Sequence, residues 1–160
     1  MSRPGDDSRS ELFLVFRCDL RLCALPVEHI VETMRSLPIE PMPDMPVFLL
    51  GVSIIRGAVM PVIDVACLLG SGDAPIHARH ARFVTLKLGA RRIAFAVDDV
   101  VGVRSLSMLT AEISPLLGAA DTSLVEAMSI LDAELILILQ AARVISDAAW
   151  AALDLQGGPR

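Results

Sequence analysis

The stretch FLVFRCDLRLCALPVEHIV, Phe13 to Val31, decides the fold because it recurs 70 positions later as FVTLKLGARRIAFAVDDVV, Phe83 to Val101. In each copy, two apolar segments flank a turn, Asp19-Leu20 or Gly89-Ala90, which is the pattern of a β-hairpin. The sequence therefore predicts the same hairpin twice. The positions that are identical in the two copies are Phe13/Phe83, Arg21/Arg91, Ala24/Ala94, Val27/Val97 and Val31/Val101.

The repeat continues beyond this hairpin with a shift of about 76 positions, which places Ser53–Leu69 over Ser129–Ile145. Together the two matches predict about five short strands in each half, with barrel-forming halves at about 11–70 and 81–145 that could exchange strands. A half of roughly 65–70 residues buries little surface alone, so we expect the halves to pack together across a shared core. The predicted fold class is all-β, in a paired-barrel or sandwich architecture.

The composition excludes several classes of protein. Of the 160 residues, 54% are hydrophobic and only 4% aromatic, which predicts a large aliphatic core and excludes disorder for most of the chain. The net charge of −5 argues against nucleic-acid binding. No segment has the length or composition of a signal peptide or a membrane span. Three cysteines, Cys18, Cys23 and Cys67, form no CxxC pair, so we expect reduced, buried thiols in a cytoplasmic protein.

Four segments lie outside the predicted barrels. We expect residues 1–10 to be a disordered N-terminus and residues 148–160 to form a short C-terminal helix with a frayed tail. Residues 71–80 read as the connection between the halves. Four prolines in the nine positions 38–46 predict an extended loop or polyproline-like turn.

No arrangement of residues in the sequence supports catalysis. Asp98-Asp99 are successive strand residues that point to opposite faces, so a structural role is favoured. His77 and His80 sit in the connection without other metal ligands at suitable spacing, and a solvated loop is favoured. His29 has no nucleophile motif to serve. Gly70-Ser71-Gly72 lacks the remainder of a phosphate-binding motif. We expect no catalytic residue, no metal and no cofactor.

Arg56 is the exceptional residue of the strand region that starts at Gly51. It is a long cation between apolar strand residues, and Gly57 after it permits a positive φ. Two interpretations remain open from the residues alone. Arg56 either caps a turn and pairs with a local carboxylate such as Asp64, or it presents its fork of donors to a partner chain.

At this segment the sequence resembles the CheW family, the coupling proteins of bacterial chemosensory arrays. The resemblance covers about Glu11 to Asp147, and the spacing between its pieces is its specific part. The pieces are Ala24–Glu32, Pro43–Pro46, Gly51–Gly57, Pro61–Val65 and, in the second half, Arg92–Val100.

The resemblance implies a fold of two tandem SH3-like five-stranded β-barrels and a non-catalytic adaptor. In the family, the adaptor links the cytoplasmic tip of a chemoreceptor to the regulatory domain of a CheA-type histidine kinase, at membrane-associated receptor arrays and without inserting into the membrane. The receptor tip docks in the groove between the barrels. The positions that the resemblance assigns to receptor or kinase contact are Ile30, Glu32, Val52, Ile54, Ile55, Arg56 and Gly57.

The sequence departs from the family's pattern in two places. Ile54-Ile55 stand where an Asn-Leu pair is common, and Thr33 stands where an isoleucine follows the glutamate. The departures concern the partner more than the fold. They leave open a coupler for an alternative chemosensory system, or a kinase regulator that acts without receptors. A small-ligand-binding β-barrel, with the inter-barrel groove as its pocket, is the third alternative.

Overall fold

The structure, a computed structural model, describes residues 11–70, 80–107, 125–131 and 134–140, together with residue 151. The predictions for residues 1–10, for His77 and for the C-terminal helix at 148–160 lie outside this part of the chain, residue 151 apart. The strands are β1 Glu11–Cys18, β2 Arg21–Pro26, β3 Ile30–Arg35, β4 Leu49–Ile55, β5 Ala58–Asp64, β6 Arg82–Leu88, β7 Arg91–Val97, β8 Asp99–Leu106, β9 Val125–Leu131 and β10 Glu134–Leu139. A 3₁₀ turn at Val27–His29 precedes β3, and a short helix, α1, spans Val65–Leu68.

The strands form two five-stranded sheets of the same topology. The first sheet has the order β8-β1-β2-β10-β9 and the second has the order β3-β6-β7-β5-β4. Strands β6 to β10 repeat β1 to β5, so each sheet combines the first two strands of one half with the last three strands of the other. The parallel pairings share one register, since Ala24 lies opposite Ile138 and Ala94 lies opposite Val62. The sequence repeat is thus a structural repeat with exchanged strands.

Both predicted hairpin turns are present. Asp19 has a φ of 57° between β1 and β2, and Gly89 has a φ of 62° between β6 and β7. The Asp98 carboxylate accepts a hydrogen bond from the Asp19 backbone N–H at 2.8 Å, which confirms its structural role. The ladders also share a bulge, because pairing shifts at Val31 in β3 and at Val101 in β8.

Alternating side chains of the same strands enter different cores. On β1, Phe13 and Val15 face the interior of the first sheet, whereas Leu14 and Phe16 join a larger cluster that draws on both sheets. We call this cluster the shared core. A third cluster, which includes Phe83 of β6, fills the interior of the second sheet. The strands that border the shared core are buried on both faces, which is why their sequences are almost continuously apolar.

The proline-rich segment covers the outer edge of β4. Glu40 exchanges backbone hydrogen bonds with Val52 at 2.8 and 2.9 Å, and the Ser53 hydroxyl donates to the Pro38 carbonyl at 2.7 Å. Gly51 permits this approach, because its φ is 144° and a Cβ there would overlap the Glu40 carbonyl. The predicted extended conformation is therefore used to cover a sheet edge.

The expectation that His80 lies in a solvated loop is wrong. Its side chain is only 14% exposed, and Nε2 lies 3.3 Å from Oδ2 of the buried Asp64. Oδ1 of Asp64 accepts a hydrogen bond from the Cys67 N–H at the start of α1. His80 is thus held where the second half of the chain begins, because it supplies a partner for a carboxylate that would be costly to bury alone.

We predict that Phe95→Ala destabilises both sheets together. Phe95 is fully buried in the shared core, so the truncation should lower the free energy of unfolding by about 3–5 kcal/mol. Urea unfolding measures this loss, and hydrogen exchange should show reduced protection in both sheets. Leu20→Ala is the control, because Leu20 is 90% exposed. Loss of protection in the second sheet alone would contradict the shared core.

Candidate functional site

The turn between β4 and β5 holds Arg56 in an unusual backbone conformation. Arg56 has a φ of 52° and Gly57 a φ of 79°, both in the left-handed region. Positive φ at both central residues is typical of a two-residue type I′ hairpin, where Asn-Gly is the favoured pair. A residue with a Cβ other than Asn or Asp is disfavoured at the first of these positions. Because strain of this kind concentrates at functional sites, the turn is the starting point for the candidate site.

The Arg56 guanidinium pairs with Glu32 in a bidentate geometry. Nη2 donates to Oε1 at 2.9 Å and Nε donates to Oε2 at 3.3 Å. Arg56 thus pairs with a carboxylate, as one of the two interpretations expected, but the partner is Glu32 and not Asp64, which is buried with His80. Glu32 lies on β3 and Arg56 follows β4, and these strands are the two edges of the second sheet. The pair therefore joins the edges of that sheet.

The charges of this pair support each other. The hydrogen bond from Arg56 holds the pKa of the Glu32 carboxyl below the ordinary value. Desolvation opposes this shift, and the charge of Arg56 adds a smaller lowering effect. The same hydrogen bond and the charge of Glu32 raise the pKa of Arg56. Both groups are therefore charged at neutral pH. The Arg56 side chain remains 75% exposed, against 27% for Glu32, so the guanidinium is the part that a partner can reach.

An apolar patch extends from the Arg56 turn along the outer face of β4 and β5. Ile54 lies directly opposite Val59 in the ladder, and these side chains are 69% and 67% exposed. The next outward pair is Val52 and Pro61. We call the depression beside this patch the outer groove, with a volume of about 490 Å³. The residues that line the outer groove are Leu37, Pro38, Ile39, Glu40, Val52, Ser53, Ile54 and Val59.

The structure brings most of the predicted contact residues to this surface. The exposed residues among them are Ile54, Arg56 and Gly57, and the half-buried ones are Glu32 and Val52.

Two of the predicted contact residues lie elsewhere. The prediction that Ile55 lies at the contact surface is corrected. Its side chain points to the opposite face from that of Ile54, is 1% exposed and belongs to the interior of the second sheet. Ile30 is half-buried against the shared core. Val59 and Leu37 were missed in the sequence. The type I′ register would have revealed Val59, since a two-residue turn at Arg56-Gly57 places it opposite Ile54.

Neither a metal-ligand cluster nor a reactive Cys18 thiol is found among the described residues. Within these residues, no group of three His, Cys, Asp or Glu side chains could hold a metal ion. A hydrogen bond to Cys23, together with burial, raises the pKa of the Cys18 thiol well above its ordinary value, so this thiol is protonated and unreactive at neutral pH. No helix among the described residues is long and apolar enough to span a bilayer. The exposed features point to recognition of another molecule.

We predict that Arg56→Gln raises the pKa of Glu32 towards the ordinary range of a glutamate, because the hydrogen bond and the charge that lower it are removed. The folded-state pKa is depressed in the parent protein, so the stabilisation from the pair is present above the unfolded-state pKa. It is lost as the pH falls through the folded-state pKa. NMR titration of the Glu32 carboxyl carbon measures the shift.

Arg17→Gln is the matched control, because Arg17 forms another exposed Arg–Glu pair, with Glu134 at 3.4 Å, on the first sheet. An unchanged Glu32 pKa in Arg56→Gln would show that the pair does not persist in solution.

Comparison with known proteins agrees with this geometry. The CheW-like domain family matches residues 12–149. Protein FrzA of Myxococcus xanthus is 36% identical over 109 residues, which are 68% of this chain and 67% of that protein. The chemotaxis protein CheW of Rhizobium meliloti is 34% identical over 70 residues, which are 44% of each chain.

A solved structure is similar over most of the chain. The crystal structure of the scaffolding protein TtCheW from Thermoanaerobacter tengcongensis superposes with a TM-score of 0.73, covering 88% of this chain and 95% of that one at 21% identity. The predicted all-β fold of two SH3-like barrels is thereby confirmed. With a family match over most of its length and a repeat of matching topology, the chain belongs to the family of CheW-like domain proteins.

Proposed function

We propose that this protein is a non-catalytic signalling adaptor that couples the cytoplasmic tips of chemoreceptors to a CheA-type histidine kinase. Membership of a family of chemosensory scaffolds supports the class of function. The observation that carries the proposal is the surface formed by the Arg56–Glu32 pair and the exposed Ile54 and Val59. A contiguous exposed apolar patch with polar groups at its rim is typical of an interaction site, whereas single exposed apolar residues are not.

The Arg56 side chain keeps recognition capacity while it is paired. Its bonds to Glu32 use Nε and Nη2, so the two N–H groups of Nη1 can still donate to a partner. Glu32 also fixes the orientation of the guanidinium, which reduces the side-chain entropy lost on binding. The pair is therefore a preorganised donor rather than a neutralised charge.

The chemistry of the surface fits a helical partner with an apolar seam. Ile54, Val59 and Leu37 present aliphatic contacts, and Arg56 supplies a charged edge next to them. This combination is typical of helix-in-groove recognition, in which apolar anchors give affinity and a charge sets the register. The tip of a chemoreceptor, a helical hairpin, is such a partner.

We place the adaptor in the cytoplasm, recruited to receptor arrays, where it transmits signal by holding receptor and kinase in position.

The position of Ile54 supports a partner that differs from that of the common family pattern. An isoleucine that is 69% exposed replaces the asparagine that is frequent there, so the surface is more apolar at a central point. This substitution favours a receptor or kinase of an alternative chemosensory system that presents a matching aliphatic contact. It leaves the adaptor role itself unchanged.

We predict that Arg56→Glu weakens binding of a cognate receptor fragment at least tenfold. The substitution places a carboxylate beside Glu32 and removes the donors, whereas the fold is held by cores that Arg56 does not enter. Co-sedimentation with receptor-containing membranes and titration with a soluble receptor fragment measure the effect. Arg17→Glu is the matched control, since it disrupts an Arg–Glu pair on the first sheet.

Parallel pull-downs separate the proposal from its alternatives. Binding of a CheA-type kinase with and without receptor fragments distinguishes a coupler from a receptor-independent kinase regulator. Unchanged receptor binding by a folded Arg56→Glu variant would contradict the proposed surface. Binding of a small molecule in the absence of any protein partner would favour the ligand-binding alternative instead.

A further inference from the structure

A β-bulge lies directly beside the Arg56–Glu32 pair. In the β3–β6 ladder, Ile30 pairs with Leu86 and Glu32 pairs with Thr85, so Val31 is the extra residue of the bulge. A bulge disrupts the regular ladder hydrogen bonds around the extra residue. Glu32 is the first residue of β3 at which regular pairing resumes after the bulge.

The Thr85 hydroxyl bonds both backbone polar groups of Glu32. The Glu32 N–H donates to Oγ1 at 3.2 Å, and Oγ1 donates to the Glu32 carbonyl oxygen at 3.3 Å. Thr85 is 1% exposed, so water does not compete freely for these groups. One buried side chain therefore fixes the peptide groups on both sides of the Glu32 Cα.

The other half of the chain shows that the bulge itself does not require a hydroxyl. In the β1–β8 ladder the same shift occurs at Val101, and the residues at the positions of Thr85 and Glu32 are Val15 and Gly102. Valine has nearly the shape of threonine but no hydrogen-bonding group. The hydroxyl of Thr85 thus lies opposite Glu32, which carries the paired carboxylate, whereas Val15, which has no hydroxyl, lies opposite Gly102.

We propose that Thr85 is a positioning residue, whose hydroxyl holds the Glu32 backbone so that the carboxylate meets Arg56 in its bidentate geometry. This inference deepens the proposed function and rests on it for the importance of the pair in partner binding. The positioning itself concerns the free protein. Without the hydroxyl, the Glu32 N–H and carbonyl would lose these two hydrogen bonds, and the Glu32 segment at the sheet edge would be held less firmly.

Two substitutions at Thr85 test the proposal. Thr85→Val removes the hydroxyl and keeps the shape, and Thr85→Ser keeps the hydroxyl. We expect Thr85→Val to raise the pKa of Glu32, measured by NMR titration, most of the way to that of Arg56→Gln, and to weaken receptor-fragment binding about threefold to tenfold. Thr85→Ser should leave the Glu32 pKa and the receptor-fragment binding close to those of the wild-type protein. Ile138→Val, a similarly small change in the interior of the first sheet, should change neither, which separates positioning from general destabilisation.

The outcomes are distinguishable from failure of the proposed function. A normal, depressed Glu32 pKa in folded Thr85→Val overturns the positioning role, as does a serine variant that behaves like the valine variant. A raised Glu32 pKa with unchanged receptor binding supports the positioning role and contradicts the proposed function. If Thr85→Val does not fold, the wild-type protein still provides a test. Its Thr85 hydroxyl proton should exchange slowly and show a cross-relaxation contact to the Glu32 amide, and rapid exchange overturns the proposal.

Discussion

The constraint on which the structure depends is that its central strands have two buried faces. On β2, Ala24 enters the interior of the first sheet and Leu25 enters the shared core, and on β7, Ala94 and Phe95 divide in the same way. Neither half of the chain could bury both faces alone. Exchange of the last three strands between the halves solves this, because each sheet is completed by the other half and both sheets pack on one core. The high aliphatic content follows from this arrangement.

The candidate recognition surface lies at the edge strands of the second sheet. The Arg56–Glu32 pair joins β3 to the end of β4, and the Glu40–Val52 bridge covers the outer edge of β4. The outer face of β4 and β5 carries exposed aliphatic side chains. The corresponding sequence positions in the second half hold Gly102 and Asp132, so the pair is not a general requirement of the repeat. The first half thus carries an Arg–Glu pair that the sequence of the second half does not repeat.

The sequence predicted the features that depend on local order along the chain. The hairpins, the duplication and the unusual setting of Arg56 are all visible in residues that lie close together or at a fixed shift. The sequence could not identify Glu32 as the partner of Arg56. That contact forms only when the second sheet closes, because β3 and β4 lie at opposite ends of its strand order. The burial of His80 and of Ile55 was missed for a related reason. Whether a connecting residue is buried, and which face of a strand points inward, depends on packing between distant segments.

Hydrogen exchange of the wild-type protein with and without a soluble receptor-tip fragment tests the central claim most directly. The account predicts slower exchange in β3 and in the β4–β5 hairpin around Arg56, because a partner seated there excludes water from edge strands. It predicts little change in β2, which is already buried on both faces. Binding that leaves the β4–β5 hairpin unprotected, with protection confined to the first sheet, would contradict the assignment of this surface.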